Sequence, residues 1–199
     1  MSLPTILSNV LLVWRNRHAL GNTQHLPVLA ATAVAGTVLG TFVLVSAPEE
    51  PLVGLVVASV LIYAARVLWF RDAHVSTGSA RRATPAVGAA AGVLQGTLGM
   101  PGPLLASWFH ACRLRGDAYV LSLTSLFLIS GVSQFTTQIA VGAYSRERLA
   151  AAAVAVVPVI ALTPVGERLR QRLSQQAFDL IVLAVLAAAA VSLLLRVLA

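Results

Sequence analysis

The chain has 199 residues, of which 58% are hydrophobic and 11% charged, and it carries a net charge of +7. A soluble domain has about 25% charged residues, and 199 residues cannot enclose a core large enough to hide this much apolar side chain. Composition therefore excludes a soluble globular protein and predicts an integral membrane protein, all-α because its apolar runs have the length of spanning helices.

All 14 basic side chains are arginine. They stand in short gaps between apolar runs, as topology signals do, and not in a basic run with interleaved aromatics, so nucleic acid is not an expected partner. Cys112 is the single cysteine and His18, His25, His74 and His110 are scattered. No disulfide, metal site or cofactor is predicted. Residues 3–14 are apolar, but Arg15-Asn16-Arg17 follows them, which is the wrong flank for a secretory signal.

In chain order, residues 3–14 come first. Twelve residues of helix reach about 18 Å against a hydrocarbon core of about 30 Å, so this stretch reads as the second half of a helix. Leu26–Ser46 is long enough to span. Pro48-Glu49-Glu50-Pro51 makes a turn, and 52–70 spans again. A polar stretch at 71–84 holds Arg81-Arg82, and 85–112 is a glycine-rich apolar run. Spans at 119–144, 149–165 and 177–198 complete the set, joined by polar connectors.

An internal repeat organises these segments. SLPTILSNV from Ser2 and SLTSLFLIS from Ser122 each open an apolar helix followed by helix, turn, helix. The predicted architecture is a multi-pass helical bundle of two related repeats: 1–73 as an incomplete first repeat, 74–84 as a polar linker loop, and 85–199 as the second. On this pattern the first repeat lacks its first element.

The run GVLQGTLGMPGPLL at 92–105 breaks its own helix. Pro101 and Pro103 donate no backbone N–H, and Gly99 and Gly102 tolerate positive φ. These residues end one helix, and Pro103 suits the first turn of the next. Non-helical backbone at membrane depth survives only inside protein or beside a wet cavity, and broken helices of this kind build transporter sites. Gly88 and Gly92 read equally well as a smooth packing face. The run either spans once or turns back as a re-entrant hairpin at GMPGP. The hairpin leaves eleven arginines inside and three outside, while a single span leaves nine and five. The positive-inside rule favours the hairpin, which also makes the repeats inverted.

The next span is rich in polar residues: Ser122, Thr124, Ser125, Ser130, Ser133, Gln134, Thr136, Thr137 and Gln138. At 100° per residue, Ser122, Ser130, Ser133 and Thr137 share one face. Leu121, Leu128, Val132, Phe135 and Ile139 lie opposite and are expected to meet lipid. The candidate anion-binding residues are Gln95, Gly96, Gly99, Met100, Gly102 and Leu104 at the break, with Ser133, Gln134 and Thr137 facing them. The bland reading of each hydroxyl or amide is an interhelical hydrogen bond. Thr5, Ser8 and Asn9 are weaker candidates for the opposite wall. Gln95 and Thr97 flank the break; His110, near the Arg113 end, reads as an interfacial residue. Trp14, Trp69 and Trp108 read as interface anchors. Arg66 and Asp179 lie near helix ends, and no carboxylate sits mid-span, which argues against an enzyme and against a proton relay.

GxLxGxLGxxGP from Gly92 to Pro103 resembles the glycine-rich motif of the TauE/SafE-type sulfite exporter family. The downstream run Gly166-Glu167-Arg168-Leu169, Arg172-Leu173-Ser174 and Phe178 is similar to that family's ending. The resemblance implies a bacterial inner-membrane transporter or exporter of a small anion such as sulfite or an organosulfonate, working by alternating access around the broken helix. Its expected partners are the anion and the lipid bilayer, with a homo-oligomer left open. The alternative is a non-transporting membrane scaffold, a truncated paralogue acting as a partner subunit.

Overall fold

The computed structural model describes residues 2–23, 25–48 and 76–143 without a break, and scattered residues in 51–64 and 150–192. The chain divides into two units. The first, residues 1–45 with 74–163, contains helices α1 (Ser2–Asn16), α2 (Leu26–Ser46), α3 (Thr77–Leu98), α4 (Gly102–Ala111) and α5 (Gly116–Ala140), with a 3₁₀ turn at Arg17–Asn22. The second unit is residues 46–73 with 164–199. Its described helical residues include buried Val53 and Val60 and exposed Leu61, Leu180, Ile181, Val185 and Val191. Of the expected spans, 52–70 and 177–198 lie largely outside the described residues, 149–165 is described as helix at most of its positions, and Arg66, Trp69 and Asp179 lie outside.

α2 is built inside out. Thr37 and Thr41 are 0% exposed, whereas Leu39 is 63% and Phe42 50% exposed. A helix in water hides its large apolar side chains; a helix in lipid puts small residues against its neighbour. The buried threonines close their hydroxyls onto their own helix, Thr37 to the Ala33 carbonyl at 2.7 Å and Thr41 to the Thr37 carbonyl at 2.8 Å. α2 and α5 are the two described helices long and apolar enough to cross a membrane.

The small residues of α2 interlock with those of α3. A Cβ on Gly88 would strike Thr32 and Leu29; on Gly92, Ala33 and Thr37; on Gly96, Thr37 and Thr41. From the other side, a Cβ on Gly36 would strike Ala89, and one on Gly40 would stand 2.5 Å from the Val93 carbonyl oxygen. The numbers rise together, so α2 and α3 run parallel with backbones in contact. Packing is therefore the role of Gly88 and Gly92, and Gly96 joins them.

The other contacts fix the remaining directions. Ile6 meets Gly131, and His18 Nε2 lies 3.0 Å from Asp117 Oδ2, so α1 and α5 are antiparallel. Gly102 meets Phe127, and Tyr119 stacks near Phe109 and His110, so α4 is antiparallel to α5. The chain thus climbs α3 away from the His18–Asp117 end and returns along α4 to that same end. The run folds as a helical hairpin. Arg15, Arg17, Arg113 and Arg115 accordingly gather at one end of the unit. Arg81 and Arg82 join them, because Gly88, nearly two turns later, already packs beside Leu29 near the start of α2.

Two expectations are corrected. Residues 77–84, read as linker, are the first two turns of α3. The Ser76 hydroxyl accepts the Ser79 N–H at 3.4 Å as an N-cap, and Pro85 is carried inside the helix, where it removes one rung. Leu121, placed on the lipid face, is 1% exposed. The early part of α5 is wrapped by the 3₁₀ turn, α4 and α1, and it joins the core of Leu29, Leu105, Phe109, Leu114 and Leu126. The rest of the stripe holds in part: Val132 and Ile139 are exposed and Ser122 and Ser130 buried, whereas Leu128 and Phe135 on one face and Ser133 and Thr137 on the other are all half-buried.

Candidate functional site

The break forms as the glycine and proline pattern predicts. α3 stops at Leu98, Gly99 takes the left-handed region at φ 69°, and its N–H closes on the Gln95 carbonyl at 2.9 Å. Pro101 then stands at the N-cap position of α4 without capping it, and Pro103 occupies its first turn. Gly102 is an ordinary helical residue, so only Gly99 uses a glycine's freedom here.

Ending a helix inside a bundle leaves its last carbonyls without partners. Gln134 answers that need from α5. Its Nε2 donates to the Gln95 carbonyl at 2.9 Å and to the Gly96 carbonyl at 3.2 Å, and its Oε1 accepts from Gln95 Nε2 at 2.9 Å. Both glutamines are buried.

Beside this lock lies a cavity of about 430 Å³. Its lining comprises Thr5 from α1, Leu44 from α2, Gln95, Thr97, Leu98 and Gly99 from α3 and its end, and Phe127, Gly131, Gln134 and Gln138 from α5. The described lining carries hydroxyls and amides and no ionisable side chain. At the start of α4 no side chain caps the helix; among the described residues the N–H groups of Met100, Gly102 and Leu104 donate to nothing. They carry the positive end of the helix dipole.

Of the predicted residues, the structure brings Gln95, Gly99 and Gln134 to the cavity, together with Thr97 beside the break and Thr5, a weaker candidate for the opposite wall. Gly96 turns its Cα toward α2 and gives its carbonyl to Gln134. The Gly99 N–H is used within α3, and the Leu104 side chain packs on the core. Met100 is 43% exposed. Gly102 rests near Phe127. Ser133 and Thr137 are half-buried and pair with each other, the Thr137 hydroxyl donating to the Ser133 carbonyl at 2.8 Å. Leu44, Phe127 and Gly131 carry no signal in the sequence, because apolar wall residues look like any others in an apolar helix. Gln138 stands one turn beyond Gln134 and is legible only once the direction of α5 against α3 is known. Among the described residues no cluster of histidine, cysteine, aspartate or glutamate could hold a metal ion.

The family model described as sulfite exporter TauE/SafE matches residues 1–193. No curated protein and no solved structure matches the chain.

Proposed function

Since the chain belongs to the sulfite exporter TauE/SafE family, we propose that it carries a small anion such as sulfite or an organosulfonate across the bacterial inner membrane. Transport proceeds by alternating access around the cavity at the hairpin tip. The observation that carries this reading is a chamber lined by neutral hydrogen-bonding groups at Gly99, the turn that leads into the uncapped start of α4. Uncommitted N–H groups at a helix N-terminus suit an anion. Thr5, Gln95, Thr97 and Gln138 supply further neutral polar groups around it. Neutral walls hold an anion without the deep trap that a buried arginine would create, which favours release on the other side.

The helix directions support the following membrane arrangement. The arginine-rich end of the first unit faces the cytoplasm, α2 and α5 cross the bilayer, and the α3–α4 hairpin enters from the cytoplasmic side without crossing. The first unit's α2–α3 contact stands Gly96 about 17–22 Å along the helix from Leu26, a depth that in this arrangement lies within the hydrocarbon layer. The two repeats are inverted. Their first helices, opened by Ser2 and Ser122, lie antiparallel, as an axis in the membrane plane requires. The unit boundaries support the same repeat: position 164 comes 118 residues after 46, and Ser122 comes 120 after Ser2.

The test is flux. The purified chain in liposomes is expected to move sulfite or sulfoacetate, and Gly99→Leu to abolish that movement, because leucine does not fit φ 69°. A folded wild-type chain that moves neither anion removes this reading.

A further inference from the structure

Three hydrogen bonds join α3 to α5 at the break, and Gln134 takes part in every one. They bind together two differently built pairs of helices. α2 and α3 are in backbone contact through five glycines, so they move as one body. α1 and α5 pack closely along their length, with the Ile6 side chain against the Gly131 backbone. The cavity is walled by both pairs: Leu44, Gln95, Thr97 and Gly99 on one side, Thr5, Phe127 and Gln138 on the other. Gln134 stands where the two pairs meet at this cavity.

We propose that Gln134 is the latch of the hairpin tip: a positioning residue that caps α3 from α5 and sets when the cavity opens, rather than a ligand of the transported anion. Its two Nε2 protons are spent on the carbonyls of Gln95 and Gly96, so it has no donor left for an anion in this state. Of the two carbonyls it covers, that of Gln95 also takes the Gly99 N–H, and that of Gly96 has Gln134 as its donor once Gly99 turns the chain. An amide suits the task because it is neutral, donates and accepts at once, and makes bonds of modest net strength that thermal motion breaks. The inference rests on the transport reading for its consequence, but the latch itself stands on the hydrogen bonds.

The test places one cysteine at the tip, Met100→Cys in a Cys112→Ser chain in liposomes. Thiol labelling by a membrane-impermeant reagent and sulfite flux are followed for Gln134, Gln134→Leu and Gln134→Glu. Gln134→Leu is expected to speed labelling by about threefold or more and to lower maximal flux about tenfold, with KM within about twofold. Gln134→Glu keeps the shape. Its ionised form repels both carbonyls, and its protonated form regains one donor. Normalised to the Gln134 parent at each pH, it is expected to behave like leucine near about pH 8 and like glutamine near about pH 5. Unchanged labelling with a raised KM in Gln134→Leu overturns the latch and makes Gln134 a ligand. A Gln134→Glu chain indifferent to pH overturns it in favour of packing alone, and that comparison decides the matter if the leucine variant does not fold. A wild-type chain that carries no sulfite removes the transport reading, while labelling still decides the latch.

Discussion

Gly92 and Gly78 are both helical glycines, yet replacing them by alanine has opposite expected outcomes. The Gly92 Cβ would run into the backbone of Ala33 and Thr37, which cannot swing aside, whereas nothing stands near Gly78. Gly92→Ala is expected to destabilise the protein by about 1–3 kcal/mol through overpacking. Gly78→Ala is expected to stabilise it by up to about 1 kcal/mol through helix propensity. Melting curves in detergent separate the two. Ser122 makes a third case. Its hydroxyl is fully buried and makes no hydrogen bond among the described residues. A buried unsatisfied hydroxyl costs about 1–3 kcal/mol, so Ser122→Ala is expected to leave the melting temperature unchanged or raise it. A fall would show that the hydroxyl has a partner. The sequence marks Gly92 and Ser122 as helix-facing positions. It does not say that one lies against backbone and the other against nothing polar, since that depends on the opposite helix.

The helices end by local devices that are partly written in sequence. After α5, Gly142 at φ 71° lets Gly142 N–H reach Ile139 and Ala143 N–H reach Gln138, a Schellman motif. After α4, the same motif is built on Arg113 at φ 59°. The Arg113 N–H reaches His110, the Leu114 N–H reaches Phe109, and the Leu114 and Phe109 side chains are both buried. Arginine in that region costs about 1–2 kcal/mol, offset in part by the entropy of a glycine, so Arg113→Gly is expected to raise stability by up to about 1 kcal/mol. A drop in the melting temperature would assign the arginine side chain a compensating contact. Pairing between helices is also testable. Cysteines at Ile6 and Gly131, in a Cys112→Ser chain, are expected to cross-link on mild oxidation. A parallel α1 and α5 would leave them at opposite ends and uncrosslinked. The His18–Asp117 pair, with side chains 65% and 63% exposed, reports the same direction and contributes little energy.

For the molecule as a whole, the decisive quantity is which arginines share a side. The hairpin brings Arg17, Arg81 and Arg115 to one end, whereas a single span would carry Arg115 to the other. Single cysteines at these three positions are expected to react with an impermeant reagent from the same side of the membrane. Reaction of position 115 from the opposite side would overturn the re-entrant arrangement. Six arginines at that end, none of them replaced by lysine, also give the protein a strong orientation signal.

Read alone, the sequence determines the solvent, the helices and the break. Lipid excludes unpaired backbone, so apolar length fixes a span such as Leu26–Ser46. Glycine and proline act on their own φ and N–H, so GMPGP ends a helix wherever it is placed. The sequence could not determine what meets what. Gln134 reads as one polar residue in a polar stripe. Only the antiparallel approach of α5 to the end of α3 turns it into the cap of Gln95 and Gly96. Leu121 reads as lipid-facing by helical periodicity, and only the packing of α1, the 3₁₀ turn and α4 around α5 buries it. Periodicity describes one helix about its own axis. Burial and hydrogen-bond partners depend on the neighbours, and those are set by the close glycine contact of α2 with α3 and the fold of the hairpin between them.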